Sequence, residues 1–176
     1  MVAFKDLWYR HPANNSIQYP CIAPHNLTSM EGKAIAPGFP VFGNQCSIRM
    51  GVALKNAGAI MRLQTCGVHS ADEQHIIRAA DLARGLAGSS FDGMGKVEKI
   101  VGTEASHFYK KLFGRTGIIY IQDYWKRHGE STPTGDHIDV WNGYRSSTKW
   151  LMEWFSWLGY YSNYVQAKEI WFWDVK

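Results

Sequence analysis

Two side chains in this 176-residue chain have the chemistry of a nucleophile and its base, and each sits in telling local sequence. Cys46 lies in "NQCSIRMGVALKNAG", which reads as a helix with Asn44 as N-cap and Gly58 as its stop. A thiol in the first turn of a helix faces unpaired N–H groups and the positive end of the macrodipole. Both favour thiolate, and the same donors stabilise an oxyanion. The competing reading is a small buried hydrophobe, because free cysteine is among the most buried residue types. His137 lies in "GDHIDVWNG", after a glycine that permits close approach at a strand start. Strand alternation puts Asp139 on the same face, and His137 is expected half-exposed at a rim, where its replacement leaves the fold largely intact. Its competing reading is a structural histidine. A working pair needs the imidazole within hydrogen-bond reach of sulfur and a third group holding the ring.

The elements that must bring these residues together are read as helices first and mostly strands after them. A short helix is predicted at about residues 3–10, then an irregular Pro-, Gly- and Asn-rich stretch to residue 44, long enough to help line a groove. In the Cys46 helix, Ile48, Val52 and the stem of Lys55 are expected on one face. A second helix is predicted from "SADEQ", where Ser70 and Glu73 form a capping box, through to about Leu86. A third is predicted in "TEASHFYKKLFG", with Thr103 as cap and Gly114 as stop. Strands follow at "GIIYIQDYW" (117–125), "DHIDVW" (136–141) and "KEIWFWDV" (168–175), with a Trp-rich helix in "STKWLMEWFSWLG" between the last two. Helices followed by a strand meander predict one α+β domain over residues 1–176 with an antiparallel sheet.

The remaining histidines and cysteines read as weaker candidates. His128 falls in a hairpin turn, while His75, placed within the second helix, and His107 read as surface or packing residues. Cys21, Cys46 and Cys66 are an odd number without metal-like spacing, so neither a metal nor a cofactor is implied. One Cys21–Cys66 disulfide is compatible with the count. The Trp residues at 150, 154 and 157 fall at near-helical spacing and read as core. "HNLT" at 25–28 fits a glycosylation pattern that recurs by chance.

Composition narrows the function class. Hydrophobic residues make up 45% of the chain and charged residues 19%, which excludes disorder throughout. The net charge of +4 comes without a Lys/Arg run, so no nucleic-acid partner is expected, though it suits an anionic polymer such as a cell wall. No membrane span is expected. The opening "MVAFKDLWYRHPANN" does not read as a secretory signal.

Taken together, "NQCSIRMGVAL", "GIIYIQDYW" and "GDHIDVWNG" resemble, in order, the motifs of the type VI secretion amidase effectors, family 4. Asn44, Cys46, Ile48, Arg49 and Met50 match the nucleophile stretch. Gly135, His137, Ile138, Val140, Trp141, Asn142 and Gly143 match the histidine block. The resemblance implies a papain-like, NlpC-type α+β fold whose helical part carries the nucleophile against an antiparallel sheet. It implies a DL-endopeptidase that cuts the γ-D-glutamyl–diaminopimelate bond of peptidoglycan stem peptides, with Cys46 attacking and His137 as base and later acid. The implied partners are the secretion apparatus and a cognate periplasmic immunity protein. The implied route is synthesis in a producer's cytoplasm without a signal peptide and injection into a target periplasm. The family pattern has an acid just beyond Trp-Asn-Gly, where this chain reads "YRSSTKW". Asp139, the nearest acid, is therefore the preferred third group, with Ser147 and Thr148 as rivals. Two other functions are compatible with the same residues: acyl transfer or deamidation by the same dyad, and a non-catalytic Trp-rich wall-binding domain.

Overall fold

A continuous apolar run in a strand implies burial on both faces, and "GIIYIQDYW" is such a run. In a computed structural model that describes residues 1–29, 31–126, 129–147 and 167–176, this segment is strand β4 (Gly117–Trp125), whose first five residues are all buried. For orientation, the other strands are β1 (Leu27–Thr28), β2 (Ala34–Ile35), β3 (Glu98–Val101), β5 (Gly135–Trp141) and β6 (Glu169–Asp174). The helices are α1 (Phe4–Arg10), α2 (Cys46–Asn56), α3 (Ala79–Ala87) and α4 (Phe108–Leu112). Strand β4 pairs antiparallel with β5 on one side and β6 on the other, and the order is β3-β6-β4-β5. Strands β1 and β2 form a separate two-stranded ribbon. The fold is α+β with an antiparallel sheet, as predicted, but the strands are not a meander: β6 pairs with β4 rather than with β5, and its other neighbour β3 was not predicted.

Each face of the sheet carries its own core. Ile118, Tyr120, Ile138, Val140 and Trp173 pack with α2 and α3, while Ile119, Ile121, Trp141, Ile170 and Phe172 pack with Phe108 and Leu112 of α4. Gly117 sits where β4 passes closest to β6: a Cβ there would lie 1.9 Å from the Trp173 carbonyl oxygen. Arg115 clamps the sheet's end, with its guanidinium donating to both carboxylate oxygens of Asp174 and to Glu98.

Strand β5 follows a bulge. The β4–β5 register shifts between Ile121 and Trp125, and Asp123 takes φ +50 there. The Asp136 carboxylate holds the bulge by accepting the Asp123 N–H at 3.1 Å. Gly135 pairs with Trp125, whose indole occupies the space a side chain would need, at 2.2 Å from an added Cβ. The approach expected at this glycine is thus made by a cross-strand tryptophan.

Helix α2 departs from the amphipathic stripe expected of it. Ser47, Ile48, Met50, Gly51, Ala53 and Leu54 are all buried, whereas Val52 and Lys55 are only half-buried. The helix lies between α1 and β5, so most of its circumference is covered. It ends as predicted at Gly58, where φ +84 lets the Ala59 N–H reach back to the Leu54 carbonyl at 2.8 Å.

The second predicted helix is in fact two pieces. Ser70 Oγ accepts the Asp72 N–H and starts a single 3-10 turn, Ala71–Glu73, but Gln74 then adopts φ +57 and breaks it. The buried Gln74 side chain explains the break. Its Oε1 accepts the Met61 N–H at 2.7 Å and its Nε2 donates to the Ala71 carbonyl, so tertiary hydrogen bonds outweigh local helix propensity. The third predicted helix begins as a 3-10 turn (Gly102–His107) before α4, with Thr103 inside the turn rather than at its cap. The Trp-rich helix, with Trp150, Trp154 and Trp157, lies outside the described residues.

The backbone of Gln74 runs against α2 at Gly51, where a Cβ would lie 2.2 Å from the Gln74 carbonyl oxygen. Gly51→Ala sets helix propensity, worth about 1 kcal/mol in favour of alanine, against a collision with backbone. The collision wins, and equilibrium urea unfolding is expected to show a net destabilisation of about 1–3 kcal/mol. An unchanged or higher midpoint would show that the Gln74 segment yields freely.

Candidate active site

The start of α2 meets β5, and there the structure gathers Cys46, His137 and Asp139. All three are buried, with 7%, 6% and 1% of their surface exposed. His137 therefore is not the half-exposed rim residue expected from the strand pattern. The covering helix α2 and the Tyr124 ring, edge-on at 6.2 Å, remove it from solvent. Replacing it accordingly carries a packing cost as well as a chemical one.

The His137 ring and the Ile138 N–H face the Cys46 thiol closely enough to favour its thiolate. Burial raises the thiol's pKa, but the His137 ring and the Ile138 N–H outweigh it and hold Cys46 below the usual thiol range. Asn44 is not the N-cap by position, since Gln45 precedes the helix, yet its Oδ1 accepts the Cys46 N–H at 3.1 Å. Gln45 is turned inward. Its amide brackets the backbone of Cys21, accepting the N–H and donating to the carbonyl, each at 2.8 Å.

Asp139 lies 3.3 Å from His137 Nε2 through Oδ2, which leaves the ring's other nitrogen for sulfur. Its Oδ1 accepts the Val140 N–H at 2.8 Å and a short hydrogen bond from Ser147 Oγ. Ser147 thus meets the carboxylate, and the carboxylate meets the ring. Thr148 lies outside the described residues. Burial disfavours both charges, but their mutual hydrogen bond, with that to Cys46, raises His137 to about 9 and keeps Asp139 well below the ordinary carboxylate range.

The "WNG" stretch after His137 has a structural use. Asn142 Oδ1 accepts the N–H groups of Tyr144 and Arg145, and Gly143 takes φ +97. The chain reverses, Trp141 bridges back to Ser146, and Ser147 arrives beside Asp139. Trp141 Nε1 anchors the turn by donating to the Leu112 carbonyl at 3.0 Å. Arg49, also in the nucleophile motif, donates to the Gln18 carbonyl at 2.7 Å and ties the N-terminal segment to α2.

One member of this group had no sequence signal. His11, 1% exposed, places Nε2 3.4 Å from Asp139 Oδ1. It follows α1 directly and precedes a proline, a position outside any strand or helix periodicity. Burial first, with Arg49 and His137 as nearby cations, depresses His11 to about 4 despite Asp139.

Two clefts meet at Asn44. One, of about 440 Å³, is lined by Asn44, Cys46, Ser47, Ile77, Arg78 and Asp136 among others. A larger one, of about 870 Å³, runs between the β1–β2 ribbon and residues 39–44. Of these two clefts, Cys46 lines the smaller.

The other singled-out residues fall elsewhere. His107 is exposed against Tyr109. His128 lies outside the described residues. His75 is not in a helix: it is buried in the extended segment after the 3-10 turn, because Gln74 ends that turn. Cys21 and Cys66, distant in sequence, lie together with His69 and His75.

Comparison with known proteins sets this geometry in a family. The family model described as type VI secretion system (T6SS), amidase effector protein 4 (Tae4) matches residues 42–173. The chain belongs to this family of amidase effectors. Among solved structures it is similar to the effector Tae4 from Salmonella typhimurium in complex with the immunity Tai4 from Enterobacter cloacae. That similarity has 20% identity, 77% coverage of each chain and a TM-score of 0.46. A comparison with curated proteins gives no match.

A neutral buried His11 binds its proton more weakly folded than unfolded. Its share of stability is present above the unfolded value near 6.5 and is lost as pH falls towards about 4. The melting temperature of the wild type is expected to drop across pH 6.5 to 4, with a shallower slope in His11→Gln. Equal slopes would show that His11 takes up its proton without penalty.

Proposed function

We propose that this protein is an antibacterial cysteine amidase that cleaves peptidoglycan stem peptides at the γ-D-glutamyl–diaminopimelate bond. The observation that carries the reading is the buried Cys46–His137–Asp139 relay at the edge of a cleft, in a chain of the amidase effector family. The thiolate of Cys46 attacks the amide carbonyl, and the first-turn N–H groups of α2 favour the developing oxyanion. The imidazolium of His137 gives its proton to the leaving amine as the carbon–nitrogen bond breaks. Water, deprotonated by His137, then cleaves the thioester and restores the thiolate opposite a protonated ring. Asp139 orients the ring and stabilises its charged form, and Ser147 and the Val140 N–H keep Asp139 ionised.

The charges of the cleft suit such a substrate. Arg78 is exposed on the lining beside Cys46, where it meets the free α-carboxylate of a γ-linked glutamyl residue. The family membership supports delivery by a type VI secretion apparatus into a target periplasm and neutralisation by a cognate immunity protein.

Muropeptide digestion followed by mass spectrometry tests the reading. Wild type is expected to release γ-D-glutamyl products. Cys46→Ala is expected to fall to background, and His137→Ala to lose roughly 10²- to 10⁴-fold. Intact stem peptides with wild type, or release that survives Cys46→Ala, would refute it. Arg78→Ala is expected to raise KM more than it lowers kcat.

The pH profile follows from the same pair. Activity needs protonated His137 opposite thiolate, so kcat/KM is expected to decline as pH rises through about 9. In Asp139→Asn the charge that raises His137 is gone, and the alkaline limb should move to lower pH along with a fall in kcat. An unmoved limb would assign the ring's pKa to something other than Asp139.

A further inference from the structure

Cys21, Cys66, His69 and His75 converge at a place separate from Cys46. One ligand atom from each, two sulfurs and two ring nitrogens, lies within 4.8 Å of all the others. His69 Nδ1 is 3.4 Å from Cys66 Sγ and 3.6 Å from Cys21 Sγ, and His75 Nδ1 is 3.9 Å from Cys66 Sγ. Zinc bonds of about 2.3 Å to sulfur and about 2.0–2.1 Å to nitrogen put the corners of a tetrahedron roughly 3.3–3.8 Å apart. These three separations fall within or just above that range. We propose that these four side chains form a structural zinc site.

Hydrogen bonding alone accounts for the cluster poorly. A neutral imidazole offers one proton-bearing and one lone-pair nitrogen. His69 Nδ1 nevertheless faces two sulfurs, and a single ring nitrogen has one proton or one lone pair to share between them. A cation at the centre satisfies all four atoms at once. The ligands bind as two thiolates and two neutral imidazoles, and the two thiol protons pass to solvent.

The surroundings are built as such a site requires. Cys66 and His69 are separated by two residues, with Gly67 at φ +70 turning the chain between them. The Cys66 N–H donates to the His75 carbonyl at 3.0 Å, which fixes the two ends of this loop. With Nδ1 committed to the ion, His75 Nε2 faces Glu73 Oε2 at 3.8 Å, the carboxylate–histidine pairing that orients metal ligands. Cys21 and His75 are buried, at 0% and 3% exposure.

Four protein ligands close a zinc coordination sphere, so the ion is structural rather than catalytic. Its position gives it a purpose. Cys21 is held through both backbone groups by Gln45, the residue before Cys46. Zinc at this point joins the N-terminal segment and the 66–75 loop to the start of the nucleophile helix.

The test uses the full chain, purified without a metal-binding tag under reducing conditions from zinc-supplemented cells. Elemental analysis is expected to give one zinc per chain. Cobalt(II) exchanged into the site is expected to show the intense visible bands of tetrahedral coordination and a thiolate charge-transfer band. Cys66→Ala and His69→Ala, both at partly exposed positions, should each weaken binding at least tenfold, and chelator should lower the melting temperature of wild type but not of these variants. Metal-free wild type with only octahedral cobalt overturns the proposal. So does a Cys21–Cys66 disulfide found by peptide mapping of protein purified without reductant. None of these readouts uses hydrolysis, so the outcome is independent of the proposed amidase reaction.

Discussion

A carboxylate buried to 1% exposure is tolerated only when its environment favours the charge, and Asp139 sets that condition for the rest of the site. Its Oδ1 takes a backbone N–H from Val140 and the hydroxyl of Ser147, and its Oδ2 faces the His137 ring. Each contact recruits a different part of the chain. The strand supplies His137 and Val140, the Asn142–Gly143 turn returns Ser147, and the end of α1 brings His11 alongside. The carboxylate in turn keeps the ring charged, and the charged ring keeps the thiol low. Removing any one support leaves a buried charge short of a partner, which costs more than a single hydrogen bond contributes.

That network forms where the end of one element meets the edge of another. Strand β5 is the outer strand of the described sheet, paired with β4 and packed against α2. An edge strand has backbone groups to spare, and the Ile138 N–H is used on the thiol. Helix α2 in turn is enclosed by α1, α3 and β5, with Gly51 admitting the Gln74 backbone. Dense packing leaves the helix start little freedom, which fixes Cys46 relative to His137.

The segments around the helix start are irregular, and side-chain hydrogen bonds rather than ladders hold them. Gln45 secures Cys21, Arg49 secures Gln18, and Gln74 secures Met61. Backbone groups in buried loops must find partners somewhere, and here buried amide side chains supply them. The same segments carry Cys21, Cys66, His69 and His75, so the cluster lies where the regular structure is thinnest.

Local pattern was enough to determine much of the frame. Apolar β-branched and aromatic runs marked β4, β5 and β6 to within a residue or so, and Gly58 marked the end of α2, because these signals depend on neighbours in the chain. The motif residues around Cys46 and His137 pointed to the right family for the same reason. Where tertiary hydrogen bonds compete with propensity, local reading failed: Gln74 splits the second predicted helix, and most of α2 is buried rather than one stripe. Burial of His137, the support that Ser147 gives Asp139, and the approach of His11 were decided only in three dimensions. So was the meeting of Cys21 with the 66–75 loop. Contacts between segments far apart in sequence leave no period or spacing to read, and they exist only once the sheet and α2 have packed.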